Sequence, residues 1–242
     1  SIMNNIFSFD RFLKVLKYDL KMRVPAVFAS FLAFLAIPHA LHVVMSFGQT
    51  FPVAQRVDLY STMAAFLMFF APFTIYSSFN NKQGKSGFLM LPASALEKFT
   101  SMVAVSMILL PVSFIFFTLI LDLILVLLFN DCYGTVVSVD FMKLLRGVAA
   151  AFSIIGAALL GNVTFKKKAS AKTILCLLAL MILWGFGVTD MIFEKLLEEG
   201  NADAEVMQAT LRQLNNITAI VFFAVGVLAY FLTYWRIKKI QI

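Results

Sequence analysis

The chain has 242 residues, of which 61% are hydrophobic and only 14% charged, with 27 phenylalanines and a formal net charge of +7. A water-soluble domain of that length would leave much of this apolar surface in water, which monomeric proteins avoid, so the composition excludes an ordinary soluble fold. The expected solvent is a bilayer, and the expected class is an all-α polytopic membrane protein.

The chain opens with FSFDRFLKVLKYDLKMR, in which Phe9, Phe12, Leu13, Leu16 and Leu20 recur at helical spacing and Arg11, Lys14, Lys17 and Lys21 fall around the other side. Over residues 1–24 this predicts an amphipathic interfacial helix, its apolar face at the acyl boundary and its cations among headgroups. The first apolar stretch begins only after five basic residues and no small-residue cleavage site precedes it, so a cleaved secretory leader is not expected. Pro25 marks the turn into the first span.

Stretches with the roughly 20 apolar residues needed to cross the hydrocarbon fall at 25–47, 59–79, 101–129, 144–165, 172–190 and 216–235. Six transmembrane helices in a single domain, 1–242, are therefore expected. The third is the longest and is expected to tilt or to project beyond the bilayer. Orientation follows from the twenty Lys and Arg, since short loops rich in them stay cytoplasmic. With both termini cytoplasmic, fifteen lie inside and five outside: Arg56, Lys143, Arg146, Lys195 and Arg212. The positive charge thus describes orientation, and no nucleic-acid surface is implied.

The second loop, 80–98, is the most informative extramembrane segment. Within FNNKQGKSGFLMLPASALEKF, Lys82 and Lys85 stand in a polar, glycine-punctuated stretch. Phe88, Leu89, Met90 and Leu91 then place four large apolar side chains where water is expected. Their exposure would cost about 1.5 to 3 kcal/mol each, so they are expected to pack on the membrane surface or in the groove of a cytoplasmic partner. After Pro92, Ser94 and Glu97 have the spacing of a capping box, which starts the third helix near Ala95.

Beyond it, Asp122 interrupts the apolar run LILDLILVLLF. An acid within a span faces a bundle interior, a watery cavity or a partner, so a place on a transport pathway and an interfacial or helix–helix hydrogen bond are both open to it. His39 and His42 share one helical face, but no further ligand accompanies them and no metal is expected. Cys132 and Cys176 fall at different depths and are not expected to pair. In the outer loop, 190–215, Asp190–Glu199 and Ala202–Leu214 read as two helices separated by Gly200 and Asn201. GKS at 84–86 lacks the glycine and the strand-to-helix context of a phosphate-binding loop, so the chain carries no nucleotide-binding or other catalytic motif.

GFLMLPASALEKF resembles the loop between spans two and three of type-2 permease subunits of bacterial ABC transporters. GNVTFKKKASAKTILCLL, residues 161–178, is similar to the fourth loop of Bacteroides-like versions. The resemblance extends over essentially the whole chain. It implies a permease subunit of the bacterial inner membrane, paired with a second permease copy as homodimer or heterodimer and served by a separate cytoplasmic ABC ATPase that holds ATP and Mg. It also implies that the 80–98 loop, with Lys82, Lys85, Phe88, Leu89, Met90, Leu91, Pro92, Ser94 and Glu97, is the coupling helix that contacts this ATPase, and that transport runs in the export direction. A non-transporting anchor, assembly factor or sensor with the same architecture is the alternative.

Overall fold

The computed structural model describes residues 7–45, 50–77, 91–138, 141–199 and 204–241. All regular structure among the described residues is helical: α1 (Phe9–Met22), α2 (Pro25–Met45), α3 (Val53–Ile75), α4 (Ala95–Leu128), the single turn α5 (Asn130–Tyr133), α6 (Phe141–Thr164), α7 (Ala169–Glu199) and α8 (Ala204–Gln241). Five stretches are long and apolar enough to cross a bilayer: Val53–Ile75, Ala95–Leu128, Gly147–Thr164, Ala169–Gly187 and Asn216–Ile240. The first expected span falls on α2, where the apolar stretch Ser30–His42 is shorter than the other five. Exposed Leu183, Phe186, Ile220 and Phe231 would be costly in water and are ordinary in contact with lipid. This all-helical architecture fits a multi-pass membrane protein.

The bundle closes around Phe31, Leu35, Met63, Met102, Phe114 and Ile155, contributed by α2, α3, α4 and α6. α6 and α8 lie against each other where their side chains are smallest. A Cβ on Gly226 would meet the Ser153 Cα at 2.9 Å, and one on Gly156 would meet the Tyr230 ring at 2.9 Å, so these glycines allow the close backbone approach on which helix packing in lipid depends. The Tyr230 hydroxyl donates to the Phe152 carbonyl at 3.1 Å and fastens the same crossing. Asn162 reaches from α6 to α3, donating to the Pro72 carbonyl at 3.1 Å.

α4 is 34 residues long and contains a π-helical turn, Ala104–Leu109, immediately before Pro111. Proline has no N–H, and its ring collides with the carbonyl four residues earlier, here that of Met107 inside the wide turn. Widening that turn accommodates the proline without ending the helix. At about 1.5 Å per residue α4 rises about 50 Å, so it extends well past a hydrocarbon core of about 30 Å. The segment 190–215 differs from its expected form. α7 runs unbroken from its apolar part through Asp190 to Glu199, and α8 is already helical at Ala204. The two expected loop helices are prolongations of the neighbouring spans, because nothing between Gly187 and Glu199 breaks a helix when its hydropathy falls.

Candidate functional site

Two polar clusters lie along α4, one in its first two turns and one near its far end. The first is built on Glu97. The Glu97 N–H donates to Ser94 Oγ at 3.2 Å, and Glu97 Oε2 accepts from the Ser94 N–H at 2.8 Å, which completes the expected capping box and starts α4 at Ala95. The second carboxylate oxygen faces another element. Oε1 accepts from the Ser8 N–H at 2.7 Å and from Arg11 at 2.9 Å (Nη2) and 3.1 Å (Nε). Glu97 is fully buried, so one carboxylate holds together the entry of α1, the end of the second loop and the start of α4.

One turn further along α4, the Ser101 hydroxyl donates to Asp19 Oδ2 at 2.7 Å, and Arg23 Nε lies 3.3 Å from Asp19 Oδ1. The Arg23 guanidinium also sits 5.2 Å from the centre of the Tyr76 ring, at the end of α3. Burial pushes the Asp19 carboxyl above its ordinary range, against the opposing pull of Arg23. Arg11, Val15 and Asp19 recur every four residues and form the face of α1 that meets the protein. Phe9, Leu13 and Leu20 leave a second, apolar face exposed, and Lys14, Lys17 and Lys21 leave a third, cationic one. This is the division an interfacial helix needs, with a docking edge added.

Of the loop residues singled out in the sequence, Lys82, Lys85, Phe88, Leu89 and Met90 lie outside the described residues. Leu91 packs against the core, Pro92 is exposed, and Ser94 and Glu97 form the junction above. Lys98, counted above among the cytoplasmic loop charges, is fully buried.

The second cluster is built on Asp122. Oδ1 accepts from Arg56 Nη1 at 2.5 Å and from the Tyr60 hydroxyl at 2.9 Å, while Oδ2 accepts from the Val137 N–H at 2.8 Å. Arg56 donates onward to the Tyr133 carbonyl at 2.9 Å and to the Thr135 carbonyl, and its guanidinium lies 5.2 Å from the centre of the Tyr133 ring. Arg56 and Asp122 are both fully buried. Isolated, either charge would be very unfavourable there; paired, and with both Asp122 oxygens and both terminal nitrogens of Arg56 hydrogen-bonded, they fasten α3, α4 and the segment after α5 to one another. Asp122 thus makes hydrogen bonds from α4 to α3 and to the segment after α5.

His39 and His42 flank this cluster. His39 Nδ1 is 3.3 Å from the Tyr133 hydroxyl, and His42 stacks on Phe51 with ring centres 3.8 Å apart. Among the described residues no group of three or more His, Cys, Asp or Glu is placed to hold a metal ion, and both cysteines are free. The partnership of Arg56 escaped the sequence reading, which started the second span at residue 59 and left Arg56 in a loop. The helix instead begins at Val53 and carries Arg56 into the bundle. In comparisons with known proteins the chain matches no family model, no curated protein and no solved structure.

Proposed function

We propose that the chain is the membrane-spanning permease subunit of an ABC-type exporter in a bacterial inner membrane. In this reading α2 is the sixth span, since its 21 residues rise about 30 Å, and both termini are cytoplasmic, as the bias of basic residues favours. Two permease copies pair, and separate cytoplasmic subunits bind ATP and Mg. The observation that carries the reading is the Glu97 junction. A push on the 80–98 loop enters a helix whose first turn is closed by a capping box, and the same carboxylate holds α1 through Ser8 and Arg11. Such a junction passes displacement to α1 and α4 together, where a frayed helix start would absorb it.

The test replaces Phe88, Leu89, Met90 and Leu91 by polar residues and compares what co-purifies with parent and variant from native membranes. Recovery of an ATPase with the parent and its loss from a correctly inserted variant supports the coupling role. A parent that brings down no ATPase overturns it. One observation favours the second reading, a non-transporting anchor, assembly factor or sensor: both oxygens of Asp122 are taken by donors of the chain itself, so this acid is not open to a passing substrate.

A further inference from the structure

A cleft of about 830 Å³ lies between α3, α4 and α6. Its walls are mostly apolar, and its size falls in the range of sites that enclose small ligands, roughly 300 to 1,000 Å³. Many of the lining residues are exposed, among them Ala54, Ala65, Val148 and Ala150, so the cleft opens to the surroundings of the bundle. Along α3 it extends from Val53 to Met68, a rise of about 22 Å, against roughly 15 Å for the hydrocarbon of one leaflet.

Two polar side chains break the apolar lining in a way that the fold does not explain. Thr118 is only 5% exposed, yet its hydroxyl has no hydrogen-bond partner among the described residues. A buried hydroxyl left so is unfavourable unless a partner comes from outside the chain. Among the described residues Asp58 is the sole charged one of the lining, and it is exposed. The two hydroxyls on the α3 wall are already bonded, Ser61 to the Val57 carbonyl at 2.8 Å and Tyr60 to Asp122 at 2.9 Å.

The two groups stand at different depths. Tyr60 bonds to Asp122, so these two residues share a level. Thr118 is one turn further into α4 than Asp122, and Asp58 lies two residues before Tyr60, toward the start of α3. A negative charge toward the start of α3, a hydroxyl donor deeper along α4 and apolar walls beneath both match the order of groups in a glycerophospholipid with an amine-bearing headgroup: the ammonium beyond the phosphate, then the ester carbonyl, then the acyl chain.

We propose that this cleft binds one membrane lipid with an amine-bearing headgroup, its acyl chain between α3, α4 and α6, its ester carbonyl accepting from Thr118 and its ammonium facing Asp58. The site stands apart from the transport reading, because occupancy is measured without an ATPase and without transport.

The experiment purifies the whole chain in mild detergent and counts retained phospholipid by native mass spectrometry, after reconstitution with phosphatidylethanolamine or with phosphatidylglycerol of the same chains. The parent keeps one lipid and prefers the amine headgroup by about fivefold, the factor expected of a single exposed charge pair. Asp58→Asn removes the preference and keeps the occupancy. Thr118→Val loosens both lipids alike. Ala65→Phe, at an exposed position of the wall, fills the cleft and lowers occupancy while the thermal transition stays at its parental value. Equal retention of the two lipids by the parent, or full occupancy in Ala65→Phe, overturns the proposal. So does efficient disulfide cross-linking of two copies through Ala65→Cys, which would assign the cleft to a second copy of the chain.

Discussion

The two ends of α4 each hold an acid against an arginine, and they are built to different purposes. At the far end Arg56 and Asp122 are both fully buried, and they bond further to Tyr60, Val137 and two backbone carbonyls. At the near end Glu97 is fully buried but Arg11 is 31% exposed, and it arrives on a separate helix whose other two faces are open. Low dielectric strengthens the first pair and makes it expensive to break, whereas water and salt reach the second. One end of α4 is welded into the bundle and the other is a joint to α1.

The largest expected effect comes from breaking the weld on one side. Asp122→Ala leaves the Arg56 guanidinium buried without its counter-charge, and Arg56→Ala does the same to Asp122. Each is expected to destabilise the protein by about 3 to 5 kcal/mol, read as a fall in the midpoint of thermal unfolding in detergent. Replacing both partners by apolar residues, Arg56→Met with Asp122→Leu, is expected to recover most of that loss. A single substitution as mild as the double one would show that the cluster is solvated and would erase the contrast between the two ends.

Removing the acid of the joint is expected to do less to the whole and more to one part. Glu97→Ala takes away the acceptor of Ser8, Arg11 and Ser94, a loss of about 1.5 to 3 kcal/mol for hydrogen bonds to a charged group. Because α1 has open faces, the loss is expected to appear as faster amide exchange over residues 9–22, with the main thermal transition nearly unmoved. Ser101→Ala removes only the donor to Asp19, one bond on the same interface, and is expected to cost about 1 kcal/mol with a smaller rise in exchange confined to the second half of α1. An equal loss across the whole bundle in either variant would mean that α1 is part of the weld.

How much of this was legible in the sequence depended on distance along the chain. The capping box could be found because Ser94 and Glu97 are three residues apart and the spacing itself is the motif. Its extension to Arg11 could not, since nothing local announces a partner 86 residues away. The face Arg11, Val15, Asp19 has four-residue periodicity, but a stripe of mixed polarity does not stand out beside the apolar face that composition reveals. Arg56 was placed in a loop because hydropathy drops at Arg56 and Asp58, although charges near a span end do not stop a helix when one of them finds Asp122. The same confusion of apolar length with helix length divided α7 at residue 190. The cleft between α3, α4 and α6 had no sequence signature at all, being made by three separate helices.

The smallest effect, and the one that most directly separates the two ends, is expected from salt. Raising ionic strength from about 0.05 M to 0.5 M shortens the screening length from over 10 Å to about 4 Å. Arg11 is open enough for that to matter, and exposed pairs of this kind contribute about 0.2 to 1 kcal/mol. Amide exchange in α1 should therefore rise by up to about fivefold, while the amides of Tyr60 and Val137 beside Asp122 hold their parental rates. In Glu97→Gln the carboxylate is gone but an amide oxygen of the same shape remains to accept from Ser8, so exchange in α1 should start higher and no longer respond to salt. If the parent and Glu97→Gln respond equally, the sensitivity belongs to the cationic face of Lys14, Lys17 and Lys21, and the junction is held by its backbone hydrogen bonds alone.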